Sequence, residues 1–160
     1  MKAAVVYFSL EGNTKYAAEK IADKLQADLI ELAPNKDYPT GSVSKFVWGG
    51  KSAVLAEKPK LLPYEFNKEN YDLVVLGTPI WAGTFTPPLR TFLMEQDLSG
   101  KKVALFACHS GGGSSRAFPK MMELLEHSEV VETLSLFDPL VKPNQENNNS
   151  LESFCMKLQG

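Results

Sequence analysis

The stretch YDLVVLG at residues 71–77, followed by TPIWAG at 78–83, decides the fold. Leu73, Val74, Val75 and Leu76 form an unbroken apolar run. A strand with one wet face alternates apolar and polar residues; an unbroken run of strand length is covered on both faces, as in a parallel sheet flanked by helices. Gly77 and Pro79 then punctuate the run. The rest of the chain should therefore supply further buried strands, with helices between them.

It does so in both directions. Toward the N-terminus, AAVVYF at 3–8 is a second continuous run, and Ala17, Ala18, Ile21 and Leu25 recur at helical spacing, predicting a helix over 13–26. A short strand is expected at 28–32. Toward the C-terminus, Pro87 and Pro88 suit the first turn of a helix with Leu89, Phe92 and Leu93 inward. KVALFAC at 102–108 is a fourth strand. Ser114 or Ser115 is the expected cap of a helix burying Phe118, Met121, Met122 and Leu125. A strand of mixed polarity at 130–137 suits a sheet edge, and a final helix, capped within 147–150, carries Leu151, Phe154, Cys155 and Leu158. The order βαβ…βαβαβα calls for one α/β domain over 1–160, an open parallel sheet with right-handed crossovers. The segment 33–70 is long for a plain connection. It is expected to hold a helix near 42–55, with Trp48, Gly49 and Gly50 either reaching a ligand or packing on the sheet.

Composition narrows the function. With 17 basic and 19 acidic residues the formal net charge is −2, which offers no field for nucleic acid or an anionic membrane. No apolar stretch is long enough to span a bilayer, and the short run at 3–8 lacks the flanks of a signal peptide. Two cysteines, Cys108 and Cys155, make no disulfide framework and suit a reducing, cytoplasmic setting. With His109 and His127 they share no metal-ligand spacing.

In an open α/β sheet, ligands bind beyond the carboxyl ends of the strands. Three loops leave such ends with unusual chemistry. Ser9, Leu10, Glu11, Gly12, Asn13 and Thr14 place hydroxyls, amides and a glycine at the start of a helix, a phosphate cradle that needs no cation. It matches neither a Walker loop nor GxGxxG, and an ordinary helix cap is the plain alternative. Thr78, Pro79, Ile80, Trp81, Ala82 and Gly83 put an indole at the mouth of the sheet, where it either faces a planar ligand or covers the strand ends. In Cys108, His109, Ser110, Gly111, Gly112, Gly113, Ser114 and Ser115, three glycines permit close approach of a ligand to the backbone, or simply make a loose turn. Cys108 lies too far from Arg116 for a CxxxxxR phosphatase loop, so it reads as a buried thiol. His109 is expected to contact a ring rather than act as an acid or base.

Over essentially the whole chain these features resemble the flavodoxin family. Ser9, Gly12 and Thr14 match the family's phosphate pattern [ST]-x-T-G-x-T; GTPIWAGTFTPPLRTFL at 77–93 and SGGGSS at 110–115 resemble its two flavin loops. The resemblance implies a flavodoxin-like three-layer sandwich with sheet order 2-1-3-4-5. It also implies non-covalently bound FMN, its phosphate on the first loop and its isoalloxazine between the other two, with Trp81 stacked on one face. Three features depart from the pattern. Glu11 stands where many members have Thr, and repulsion from a phosphate predicts that its side chain turns away. The third loop lacks a Tyr to stack on the second face. The ring loops lack acidic residues, whereas dedicated electron carriers of the family are strongly acidic.

Two main functions follow. The first is an FMN-dependent electron carrier serving a protein partner, as a monomer or weak dimer. The second is an NAD(P)H-dependent FMN or quinone reductase. A receiver domain is disfavoured, because Thr78 follows Gly77 where that class needs an Asp.

Overall fold

The computed structural model describes residues 1–38 and 57–160; the helix expected near 42–55 and the Trp48-Gly49-Gly50 stretch lie outside the described residues. In chain order the elements are β1 (Ala3–Tyr7), α1 (Asn13–Leu25), β2 (Asp28–Glu31), a single 3-10 turn (Lys68–Asn70), β3 (Leu73–Pro79), α2 (Pro87–Glu95), β4 (Lys102–His109), α3 (Ala117–Glu123), β5 (Glu129–Phe137) and α4 (Gln145–Gln159). The strands form one sheet of order β2-β1-β3-β4-β5, parallel at every pairing. This is the expected α/β flavodoxin-like order.

The continuous apolar runs are explained by the two cores. On one face Val5, Tyr7, Val75 and Phe106 pack against Ala17 and Ile21 of α1 and Leu151 and Phe154 of α4. On the other face Val6, Val74, Leu76 and Leu105 meet Leu89 and Phe92 of α2 and Met121 of α3. Side chains alternate between the faces, so a strand buried on both must be apolar at every position. The two layers press hard on the centre: a Cβ on Gly77 would lie 2.0 Å from the Phe106 ring.

Several boundaries differ from expectation for identifiable reasons. β3 starts at Leu73, because the Asp72 N–H bonds to the Lys2 carbonyl before the ladder begins. It runs on to Pro79, with Thr78 opposite Ala107 and Pro79 opposite Cys108, so the start of the second loop is strand. Neither Ser114 nor Ser115 caps α3 with its side chain: Arg116 holds the cap position, and the Ser114 hydroxyl bonds that of Ser135. Met122 faces outward instead of into the core. α4 begins at Gln145, because Asn144 is its cap and accepts from the Asn147 N–H at 2.7 Å. The Asn147 amide is used elsewhere, bonding both the N–H and the C=O of Phe137 at the end of β5.

Candidate functional site

The connections after β1 and β3 leave in opposite directions across the sheet, which opens a crevice at the strands' carboxyl ends. A cleft lies there, lined by Ser9, Leu10, Glu11, Asn13, Thr14, Pro79, Ile80, Trp81, Cys108, Ser110 and Asp138. Residues from all three predicted loops thus line it. It is partly open, with about 50 Å³ available to the centres of water-sized groups. Furrows of about 670 Å³ by Asp28 and Tyr71 and about 400 Å³ between β5 and α4 are larger, but no strand-end loops converge on them.

The first loop is organised around Gly12, which caps α1 at a left-handed φ of 106°. Neither Asn13 nor Thr14 caps the helix; the turn is closed by the Ser9 hydroxyl, which accepts from the Gly12 N–H at 3.2 Å. The first intrahelical bond runs from the Tyr16 N–H to the Gly12 carbonyl. The amides of Asn13, Thr14 and Lys15 therefore have no intrahelical acceptor, and the positive end of the helix dipole lies over the cleft. Thr14 is 1% exposed and its Oγ1 has no hydrogen-bond partner of proper geometry. Glu11 is exposed at the rim.

The second loop is a tight hairpin. Trp81 and Thr84 exchange two backbone hydrogen bonds of 3.0 Å, and Ala82 and Gly83 take φ of 50° and 77°. Two successive left-handed residues define a type I′ turn, and for Ala82 that conformation costs about 1–2 kcal/mol. Half-buried Trp81 meets Phe8 at 5.7 Å and Tyr38 at 5.0 Å, both edge to face. Its indole thus covers the strand ends and also lines the cleft. Thr78 is fully buried: its Oγ1 lies 2.8 Å from the Pro79 carbonyl, pairs with the Thr86 hydroxyl and accepts from the Thr86 N–H.

In the third loop Nδ1 of His109 accepts from the N–H groups of Gly111 and Gly113 at 3.1 and 3.2 Å. That atom is thereby committed to the loop's own turn and must be unprotonated. Burial lowers the His109 pKa, with Asp138 opposing, so the neutral ring is favoured. Gly111 and Gly113 are at φ of 127° and 72°, which explains two of the three glycines by conformation. Cys108 is buried, and burial pushes its thiol up to about 12, with the nearby Thr14 hydroxyl opposing that rise and Asp138 adding to it. It is a protonated, inert thiol.

Asp138 is the residue that loop-by-loop reading missed. It follows β5, is 5% exposed, takes a left-handed φ of 38° and lines the cleft. The Ser110 hydroxyl donates to it at 2.7 Å and Lys142 lies 3.6 Å away. The segment it opens is tied down by Asn13, whose Oδ1 accepts from the N–H groups of Leu140 and Val141. The signal was available: a fifth parallel strand must end at the same edge, and the Asp138-Pro139 pair marks its exit.

The fold and cleft together define an open α/β protein whose crevice brings a helix N-terminus and an aromatic wall to one sheet edge. The flavodoxin family model matches residues 2–133, and the chain belongs to the flavodoxin family. Among solved structures it is similar to a Bacteroides uniformis protein (23% identity, TM-score 0.79, 99% of this chain and 98% of that one). It is also similar to a Lactobacillus acidophilus flavoprotein solved in complex with FMN (19% identity, TM-score 0.75, 96% and 97%). An archaeal flavodoxin matches at 18% identity and a TM-score of 0.62, over 99% of this chain and 96% of that one.

Proposed function

We propose that this chain binds FMN non-covalently in the cleft between the carboxyl ends of β1, β3 and β4 and acts as an electron carrier. FMN is the cofactor that membership of the flavodoxin family brings with it, and a flavoprotein of the same fold has been solved with it. One observation carries the reading most directly. The Thr14 hydroxyl, next to the Cys108 thiol, is buried with no hydrogen-bond partner of proper geometry, beside α1 amides that have no intrahelical acceptor. A buried unpaired hydroxyl is costly, and a phosphate oxygen satisfies it.

When bound, the flavin supplies the redox chemistry by taking up and returning electrons one or two at a time. The chain supplies the hold. Ser9, Gly12, Asn13 and Thr14 would bind the phosphate, with Leu10 and Glu11 contributing only backbone. Ile80, Trp81, Ala82 and Gly83 would flank the ring on one side, and His109, Ser110, Gly111 and Gly112 on the other.

A protein redox partner would be one without a strongly charged docking face, since residues 78–83 and 108–115 carry no Asp, Glu, Lys or Arg to recognise it. Two buried free thiols favour a reducing compartment, hence the cytoplasm. Among the described residues no helix is long and apolar enough to cross a membrane.

Titrating apoprotein into FMN while following flavin fluorescence, with riboflavin as control, tests the reading. Strong quenching of FMN and weaker quenching of riboflavin is the expected result, and no quenching of either sinks it. Steady NAD(P)H oxidation by a quinone with the loaded protein would make the chain a reductase instead.

A further inference from the structure

We propose that Arg116 is a positioning residue for the flavin ring: its guanidinium reaches from the third loop to the second and supplies a cation at the ring's edge. The inference rests on the FMN reading and extends it to a residue outside the three family motifs.

Arg116 follows the third loop directly and holds the cap position of α3, yet its side chain does not cap that helix. Instead Nη2 lies 3.5 Å from the carbonyl oxygen of Ala82, on the opposite ring loop. The contact has its own space. A Cβ on Gly83 would lie 2.7 Å from Nη2 and 3.1 Å from Nε, so the absent side chain of Gly83 leaves room for the guanidinium against the turn. The hydrogen bond is long and the side chain exposed, so this contact holds the group only loosely. Among the described residues Arg116 makes no ion pair, and most of its five donors are uncommitted.

Charge makes the placement consequential. Residues 78–83 and 108–115 contain no Asp, Glu, Lys or Arg, so Arg116 is the nearest permanent charge in sequence to either ring loop on that side. Glu11 and Asp138 also line the cleft; Asp138 accepts from Ser110 and has Lys142 3.6 Å away as a counter-charge, whereas Arg116 has no such partner among the described residues. A planar ring held between the loops meets a planar, weakly hydrated cation that can donate to its carbonyl oxygens or lie against its face. A cation at the rim favours the negatively charged reduced ring over the neutral oxidised one, so Arg116 should raise the reduction potential and tighten binding of the ring. It should leave the phosphate contact unchanged.

The test is a comparison of wild type, Arg116→Gln and Arg116→Lys, measuring dissociation constants for FMN and riboflavin and the midpoint potential of bound FMN. In Arg116→Gln both ligands should weaken by the same factor, roughly tenfold for loss of a charged hydrogen bond, and the potential should fall. Arg116→Lys, which keeps the charge but not the fork, should restore the potential more fully than the affinity. Three results would overturn the assignment. One is unchanged affinity and potential in Arg116→Gln. Another is loss for FMN alone, which would make Arg116 a phosphate ligand. The third is a potential that falls equally in Arg116→Lys. Failure of the wild type to bind either flavin would instead overturn the FMN reading itself. Because Arg116 is exposed, unchanged apoprotein melting curves should accompany each variant.

Discussion

At the residue scale, Thr14 separates stability from function. Its hydroxyl is buried with no partner of proper geometry, so without ligand it is a net cost to the fold. Replacement by the near-isosteric Val removes that cost, and the methyl would enter a setting that already holds Ala17 and Cys108. Thr14→Val should therefore leave the apoprotein as stable as wild type or up to about 1 kcal/mol more stable by chemical denaturation. The same substitution should weaken FMN by roughly tenfold while riboflavin is unaffected. Equal loss for both flavins would mean that Thr14 serves the ring and not the phosphate. Thr14 was recognisable in the sequence because its position after Ser9 and Gly12 has a known chemical use. Its burial without a well-formed hydrogen bond was not, since that depends on how the folded turn packs over it.

At the scale of elements, the legible parts were those whose burial is complete. β1, β3 and β4 were readable because both faces are covered, which forces apolar residues at every position. The capping serines of α3 were misread because Ser114 is used across to Ser135 on β5, a long-range bond that no local pattern announces. Asn147 lies in the 147–150 stretch expected to cap α4, but its side chain ties α4 to Phe137 at the end of β5.

The third loop also has a pH dependence that follows from its geometry. Nδ1 of His109 accepts from two N–H groups, which only the neutral imidazole can do. Burial lowers its pKa, with Asp138 opposing that shift, so the folded value lies below the unfolded one of about 6.5. The turn's contribution is complete above about pH 6.5 and is lost as pH falls through the lower folded value. Riboflavin, which carries no titrating phosphate, should bind more weakly as that range is crossed. Replacing His109 with Ala should give weaker, pH-independent riboflavin binding; a wild-type affinity with the same pH profile as His109→Ala, over the range in which both stay folded, would refute the role.

At the scale of the whole molecule, cofactor and fold should be linked through the loops that the strands deliver to one edge. Asn13 bonds Leu140 and Val141, Asp138 accepts from Ser110, and Arg116 reaches Ala82, so the loops after β1, β3, β4 and β5 are joined to one another around the cleft. None of these contacts survives unfolding, because each joins residues far apart in sequence; the unfolded chain therefore has no preformed flavin site. A ligand that binds only the folded state stabilises it by about 2.7 kcal/mol at a hundredfold excess over its dissociation constant. For a chain of this size each kcal/mol raises the melting temperature by about 2–4 °C, which predicts a rise of about 5–10 °C with FMN. At the same concentration riboflavin should give a smaller rise, since it lacks the phosphate proposed to meet Thr14 and the α1 amides. Inorganic phosphate, which reaches the cradle but not the aromatic wall, should give the smallest. That ordering depends on both halves of the site being occupied by one molecule. If phosphate alone matched FMN, the cleft would be an anion site with an incidental tryptophan. If riboflavin matched FMN, the first loop would be a structural turn and the unpaired Thr14 hydroxyl would need another explanation.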